Sequence, residues 1–517
     1  MAVLFLRSVA TLLCAEGAFY LWGSYNRRSL SNPRQHGFAD ALQPPSGMTF
    51  SAERRRKEFR RILTTEFGVC EEGGMATTPA RGRIWLSGWF FNKPFSQIDV
   101  SGLRFFLAWV WFNCQDPSEM SAAEATEVEA DVATLLKAAS AESPTEAQRV
   151  LPSEPARSRS RGLTCMRPNV DATRPFHAHH PLLIYFLTQF LIGTLLRSYV
   201  MTSLGFERRT LRVPCTDDPS RLFAHAYWHR PRPAETTSDP ATSDSDVTPL
   251  VLFHGIGIGW GFSYPPLLAD MVAQADAAGG RPILAVEAPH IALTVPVNYG
   301  PHARDMVCAV CAMLARHGVD VDGRGGRVRA DILGHSYGTL TAAQVLKQCP
   351  AVVRSMTLVD PVCVGAHRAK LCQNFLYDPD YTGEGAPGVI KKWLLHSDPR
   401  LVGTLMRNFF WFENCLWLED DELDAAAAGT EGSISLFIGE NDKYIDGAVI
   451  YEDAITAMAS RAAENYGTPN GAEDAMQQPR RSLRAVLWTE QGHGEWLSKP
   501  EQRRAVIESL VVKTKRS

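Results

Sequence analysis

Residues 328–343 read Val-Arg-Ala-Asp-Ile-Leu-Gly-His-Ser-Tyr-Gly-Thr-Leu-Thr-Ala-Ala, an apolar run interrupted by Gly334-His335-Ser336-Tyr337-Gly338 and followed by small, helix-compatible residues. A strand that turns at once into a helix holds its apex residue in an unfavourable backbone conformation, so the positions two before and two after must lack bulk. Gly334 and Gly338 meet that condition, His335 and Tyr337 flank the apex, and the Ser336 hydroxyl is expected to project into open space. By composition alone a Gly-x-Ser-x-Gly pentapeptide arises in on the order of one chain in ten of this length. Its meaning therefore depends on the rest of the chain.

Three other segments agree with it. Upstream, Pro249-Leu250-Val251-Leu252-Phe253 reads as a short buried strand opening into His254-Gly255-Ile256-Gly257-Ile258-Gly259. Such a turn can aim backbone N–H groups at a developing oxyanion, and we assign the second donor to Ile256 or Gly257, beside the amide of Tyr337. His254 itself is read as a structural hydrogen-bonding residue. Downstream, Ser433-Ile434-Ser435-Leu436-Phe437-Ile438-Gly439 has the pattern of another buried strand and delivers Glu440-Asn441-Asp442-Lys443-Tyr444 to its carboxyl end. Asp442 is the candidate acid. Its rivals are Glu440 and Asp360, the alternative acid, which follows the strand Ser355-Met356-Thr357-Leu358-Val359 in the same topological way. Finally Ala485-Val486-Leu487-Trp488 runs into Thr489-Glu490-Gln491-Gly492-His493-Gly494, where a histidine between glycines is free to swing over a serine.

Ser336, Asp442 and His493 occur in the chain order serine, acid, histidine, which differs from the orders of the chymotrypsin and subtilisin folds. On these motifs the segment from about Arg221 to Ser517 resembles an α/β-hydrolase. The long N-terminal part is similar to that of an uncharacterised eukaryotic, membrane-associated branch of the superfamily, through Gly88-Trp89-Phe90-Phe91 and Tyr227-Trp228-His229-Arg230-Pro231. The resemblance implies an α/β fold with a mostly parallel central sheet flanked by helices, a helical cap insertion and a mainly helical N-terminal extension. It implies a serine carboxylic-ester hydrolase or lipase. His493 would take the Ser336 proton, Asp442 would orient the imidazole, and an acyl-enzyme would form on Ser336. A serine at this position excludes the chemistry of fold members that place a carboxylate or a thiol there. Acyl transfer or thioester cleavage on the same triad, and a catalytically idle scaffold, are the alternatives.

The chain has 517 residues, 45% hydrophobic and 21% charged, enough for one large core with an appended region. A formal charge of −3 gives no global attraction for nucleic acid, so the expected partner is a small-molecule or lipid ester; protein partners are not legible, and no cofactor or metal is called for. The 11 cysteines lack regular spacing, and their odd number precludes a complete disulfide framework, which points to a reducing compartment. Cys308-Ala-Val-Cys311 is the one close pair and reads as two small apolar positions on a helix spanning Arg304 to His317.

Residues 2–23 are mostly apolar but contain Arg7 and Glu16, and Arg27-Arg28 and Arg54-Arg55-Arg56-Lys57 follow. Residues 1–25 are read as a signal anchor that leaves the catalytic domain cytoplasmic, with a mitochondrial presequence as the alternative. Pro181 to Leu196 is a second apolar stretch, expected as a buried helix, a membrane-dipping helix or a crossing. Leu103 to Phe112, with Trp85, Trp89, Trp109 and Trp111, is read equally as an interfacial platform or the core of a small helical domain. The resulting division is an extension over 26–205, with a disordered stretch at 138–162, and a catalytic domain over 206–517. Within the latter, 231–248 is expected as a disordered insertion, 464–480 as a loop and 363–432 as a cap. Phe375, Trp393, Phe409, Phe410, Trp411 and Phe412 of the cap are expected to line an acyl pocket, with Asp398, Asp420 and Asp421 solvated.

Overall fold

Short apolar runs make the centre of the sheet. Leu250–Phe253 (β3), Ile283–Val286 (β4) and Ala330–His335 (β5) are buried at every position, the signature of strands covered on both faces. The computed structural model describes residues 11–24, 50–69, 81–114, 116–140, 164–170, 180–214, 222–233, 247–293, 301, 303–321, 328–377, 385–407, 409–418, 423, 432–466 and 482–510. They belong to two units, one of residues 1–179 and 366–413, the other of residues 180–365 and 414–517.

The second unit holds an eight-stranded sheet. Besides the three buried strands it contains Glu207–Pro214 (β1), Leu222–Arg230 (β2), Val353–Val359 (β6), Ser433–Gly439 (β7) and Ser482–Trp488 (β8), in the spatial order β1-β2-β4-β3-β5-β6-β7-β8. The pairs β1·β2 and β2·β4 are antiparallel and every later pair is parallel. Parallel neighbours need crossovers, supplied here by the helices Pro265–Ala277, Ala303–Arg316, Tyr337–Gln348 and Gly447–Tyr466. The helices Pro265–Ala277 and Pro500–Ser509 cover one face over a core of Trp228, Trp260, Leu268, Met271, Phe437, Trp496 and Val506. The carboxyl ends of β3, β5, β6, β7 and β8 therefore line one edge of the parallel sheet, where loops carry side chains free of ladder constraints. This is the mostly parallel, helix-flanked sheet that the motifs imply.

The helix Leu182–Ser203 belongs to this unit, so residues 180–205 group with the sheet and not with the extension as expected. Among the described residues it is the one helix long and apolar enough to cross a membrane, and only 11% of its most apolar stretch is buried. Its contacts with the unit are polar and apolar: Thr188 Oγ1 donates to Leu293 O at 3.1 Å, Arg197 pairs with the buried Glu287 at 3.0 Å, and Met201 is buried in the core beside Trp228 and Trp260. Leu183, Phe186, Phe190, Leu191, Leu195 and Tyr199 remain exposed, which removes the buried-helix reading.

In the first unit, Ser51 caps the helix Ala52–Phe67, and Gly68 ends it in the left-handed region at φ 64°. The helix Arg81–Trp89 packs so closely that a Cβ at Gly82 would lie 2.2 Å from Phe67 Cδ1. Trp85, Trp89, Phe106, Trp109 and Trp111 are buried, so Val100–Phe112 is a core helix, not a platform. The segment 366–413 joins this unit because its aromatic residues complete that core: Phe412 packs on Trp89, Phe106, Trp109 and Trp111. Of the expected cap, 363–432, residues 366–413 thus group with this unit; Phe409, Trp411 and Phe412 are buried in it, and Phe410, Trp411 and Phe412 line a cavity there with Trp109 and Trp111. Asp398, expected in solvent, is fully buried and accepts the Leu401 amide at 3.0 Å, as a helix-start residue does. Residues 1–10 of the apolar N-terminus, Asp420, Asp421 and most of 138–162, 231–248 and 464–480 lie outside the described residues.

Candidate active site

β5 ends at Ser336, whose backbone sits at φ 54°, ψ −123° before the helix Tyr337–Gln348 begins. A serine holds that conformation only where its surroundings enforce it. Here the Ser336 amide is tied to Val359 O at 3.0 Å, and the flanking glycines admit no side chain. A Cβ at Gly338 would lie 2.4 Å from Phe253 O, and one at Gly334 would lie 3.0 Å from Gly338 O. Ser336 thus sits at the apex of a strained, closely packed strand-to-helix turn.

Asp442 lies beyond β7 with its carboxylate wholly removed from solvent. Its Oδ1 accepts the amides of Tyr444 at 2.7 Å and Ile445 at 3.2 Å, which turns Oδ2 toward His493. His493 Nδ1 is 2.6 Å from Asp442 Oδ2, and His493 Nε2 is 2.7 Å from Ser336 Oγ. The imidazole thus bridges carboxylate and hydroxyl, held edge-on to the Tyr444 ring at a centroid distance of 4.8 Å. Burial pushes the His493 imidazole down, but the charge and hydrogen bond of Asp442 and the charge of Asp360 outweigh it and raise it to about 9. Glu440 is engaged elsewhere, accepting the Glu490 amide at 3.0 Å.

Asp360, the alternative acid, serves the same histidine loop from the other side. Its Oδ2 accepts the Gly494 amide at 2.7 Å and stands 3.4 Å from His335 Nε2, on a residue whose own φ is 48°. Burial would raise its carboxyl, yet His335, His493 and the Gly494 amide together hold it below the usual carboxylate range. His335, the last residue of β5, is buried beside this carboxylate. Its Nδ1 lies 2.6 Å from the Tyr264 hydroxyl, which accepts the Gly255 amide at 2.7 Å. With the tyrosine donating to Nδ1, the His335 proton is assigned to Nε2, toward Asp360. Tyr264 therefore links the glycine turn to the elbow, a residue that no sequence motif marks. His335, Asp360 and His493 also place ligand-type atoms within 4.8 Å of one another. Both ring nitrogens of His493 are already taken by Asp442 and Ser336, so the cluster fits a hydrogen-bonded network better than a ligand set.

The glycine turn decides between the two expected oxyanion donors. The Gly257 amide donates to Ile291 O at 3.1 Å and the Gly255 amide to Tyr264, so Gly257 is corrected as a candidate. Ile256 keeps an amide with no bond to a described residue. It follows Gly255 in a turn that approaches the elbow so closely that a Cβ at Gly255 would lie 2.8 Å from Ser336 Cβ. Tyr337 supplies the first amide of the elbow helix. His254 is buried, held neutral by burial that pulls it down to about 4, and accepts the Ala288 amide on Nε2 at 3.2 Å. It is the structural histidine that its position suggests.

No protein-family model and no curated relative matches the chain. Among solved structures it is similar to naproxen esterase from Bacillus subtilis, at 15% identity over 61% of this chain and 97% of that one, with a TM-score of 0.36. It is similar also to a membrane phospholipase A described as a bacterial virulence factor, at 16% identity over 63% and 94%, with a TM-score of 0.38. A third is the carboxylesterase CesB from Bacillus subtilis, at 15% identity over 62% and 97%, with a TM-score of 0.37. Strand order, the strained serine at the end of β5 and the loops that follow β7 and β8 give this chain the α/β-hydrolase fold.

Proposed function

We propose that this protein is a serine hydrolase that cleaves carboxylic esters of a hydrophobic, lipid-like acyl group through an acyl-enzyme on Ser336. The observation that carries the reading is the single imidazole spanning Ser336 Oγ at 2.7 Å and Asp442 Oδ2 at 2.6 Å. His493 Nε2 accepts the serine proton as Oγ attacks the ester carbonyl, and returns it to the leaving alcohol. Asp442 fixes the tautomer and stabilises the imidazolium. The amides of Ile256 and Tyr337 are the proposed donors to the tetrahedral oxyanion, and losing one such donor typically removes about 3 kcal/mol of transition-state stabilisation. Water then repeats the sequence on the acyl-enzyme.

The lipid-like substrate is supported by the exposed helix Leu182–Ser203, whose inner side is bonded through Thr188 to Leu293, next to the glycine turn. A helix that is anchored to the fold on one side and exposes a row of apolar residues on the other fits the interface of a bilayer. Phe262, in the same turn region, is exposed as well. Fluorophosphonate labelling tests the nucleophile: wild-type protein reacts and Ser336→Ala does not. A folded wild type that fails to label overturns the hydrolase reading in favour of an idle scaffold. Profiling the detergent-solubilised protein on p-nitrophenyl esters of graded length tests the substrate class, and preference for short soluble esters overturns the lipid part.

A further inference from the structure

The close cysteine pair of the sequence, Cys308 and Cys311, is not the pair that the fold makes. Cys311 Sγ lies 2.9 Å from Sγ of Cys349, 38 residues further on. Cys311 sits on the helix Ala303–Arg316, and Cys349 is the residue that ends the helix Tyr337–Gln348, so two neighbouring helices are joined at this point. Both thiols are half-buried, within reach of small reagents, whereas Cys363, Cys372 and Cys415 are sealed in the core. A disulfide needs about 2.05 Å between sulfurs, so closing this pair takes roughly 1 Å of approach.

The chemistry of the pair is asymmetric. The Cys311 S–H donates to Cys349 and pulls that thiol down to about 7, against its partial burial and the carbonyl dipoles of the helix end on which it sits. The same contact, with burial, pushes Cys311 up. A thiol that ionises near ambient pH beside a protonated partner is suited to attack and be resolved. Cys363, by contrast, is pushed up to about 12 by burial and has no such partner among the described cysteines.

We propose that Cys311 and Cys349 form a peroxide-reactive dithiol, a reversible modification site that closes to a disulfide and staples the two helices. The Cys349 thiolate attacks the terminal oxygen of a hydroperoxide. The O–O bond breaks, the alkoxide leaves and takes a proton, and Cys349 becomes a sulfenic acid. Cys311 then attacks the Cys349 sulfur, the S–O bond breaks, and hydroxide leaves with the Cys311 proton as water. Two thiols lose two electrons to the peroxide, giving one disulfide, one alcohol and one water. A dithiol or glutathione reverses the step by exchange.

Cys349 and Ser336 stand at opposite ends of the helix Tyr337–Gln348, separated by roughly 18 Å of helix. The staple therefore stiffens the scaffold without entering the site. Its formation does not depend on whether Ser336 is a nucleophile.

Full-length protein treated with hydrogen peroxide, blocked with N-ethylmaleimide and mapped by mass spectrometry tests the proposal. The expected result is a Cys311–Cys349 cross-linked peptide that dithiothreitol removes, and dimedone trapping at Cys349 in the Cys311→Ser variant. Oxidised wild type should melt several degrees above reduced wild type, a gap absent from Cys349→Ser. Alkylation of both cysteines undiminished by peroxide, or a linkage from Cys308, overturns it. Equal melting of oxidised and reduced wild type overturns the staple.

Discussion

Each unit of this protein contains a buried imidazole in contact with a carboxylate: His367 Nε2 is 2.7 Å from Glu66 Oε1, and His493 Nδ1 is 2.6 Å from Asp442 Oδ2. The contacts match in length and differ in what else the carboxylate holds. Glu66 also receives the Arg368 guanidinium at 2.8 and 3.0 Å and that of Arg81 at 3.2 Å. Burial alone would raise its carboxyl, but these cations and His367 hold it far below the usual carboxylate range. Its charge is consumed locally, and the backbone of His367 serves as an acceptor for Trp85 and Trp89. Asp442, in contrast, is satisfied on its other oxygen by two neutral amides, so its charge is left to His493. The far nitrogen of that ring meets a serine. A histidine–carboxylate contact becomes chemistry when no other cation shares the charge and the second nitrogen faces a nucleophile.

The largest effects should fall on one side of this comparison only. Ser336→Ala or His493→Ala should lower ester hydrolysis by about a millionfold, measured as kcat, with the melting transition close to wild type. Asp442→Asn should cost about 10,000-fold in kcat, because the amide favours the wrong tautomer while keeping the shape. Comparable losses from His367→Ala at a temperature where the protein remains folded would break the distinction.

Much of this site is legible in the chain because its requirements are local. The elbow forbids side chains two residues from Ser336, and a Cβ at Gly338 would meet Phe253 O at 2.4 Å, so the sequence has to carry the glycines. Asp442 and His493 follow strands whose apolar runs are plain to read. What escapes the sequence depends on tertiary pairing. Whether Gly257 can donate is settled by Ile291, 34 positions away, and Tyr264 matters only because its hydroxyl meets Gly255 and His335. β1, reading Glu-Arg-Arg-Thr-Leu-Arg-Val-Pro, is too polar to announce itself, since an edge strand buries little. β4 is four residues long and too short for a period. The aromatic residues of 366–413 suit a pocket or a core equally well by composition, and only tertiary packing puts Phe412 against Trp89 and Trp109.

The other side of the comparison is tested by Glu66→Gln. Removing the charge breaks the buried Glu66–Arg368 ion pair, a loss that typically costs about 3–5 kcal/mol. The expected outcome is a lowered unfolding transition of the unit containing Glu66, with fluorophosphonate labelling of Ser336 retained below that transition. Loss of labelling in a folded Glu66→Gln protein would mean that the two carboxylates are not separable in role.

The smallest effect is the most discriminating. Attack needs a neutral imidazole, and His493 is raised to about 9, so kcat/KM should climb about tenfold per pH unit through neutrality and level off near pH 9. Asp360 contributes to that elevation without touching the ring, through a carboxylate bound to the Gly494 amide. Asp360→Asn retains an acceptor for that amide and deletes the charge. A negative neighbour favours the imidazolium, so removing it lowers the imidazole pKa and should move the acid limb to lower pH, by less than Asp442→Asn does. The same sign governs stability. A histidine whose folded pKa exceeds its unfolded 6.5 stabilises the fold fully below 6.5 and loses that contribution as pH rises through about 9. Wild type should therefore lose more stability between pH 6.5 and 9 than Asp360→Asn does. An acid limb that stays in place, or shifts upward, in the variant would reduce Asp360 to a structural residue like Glu66.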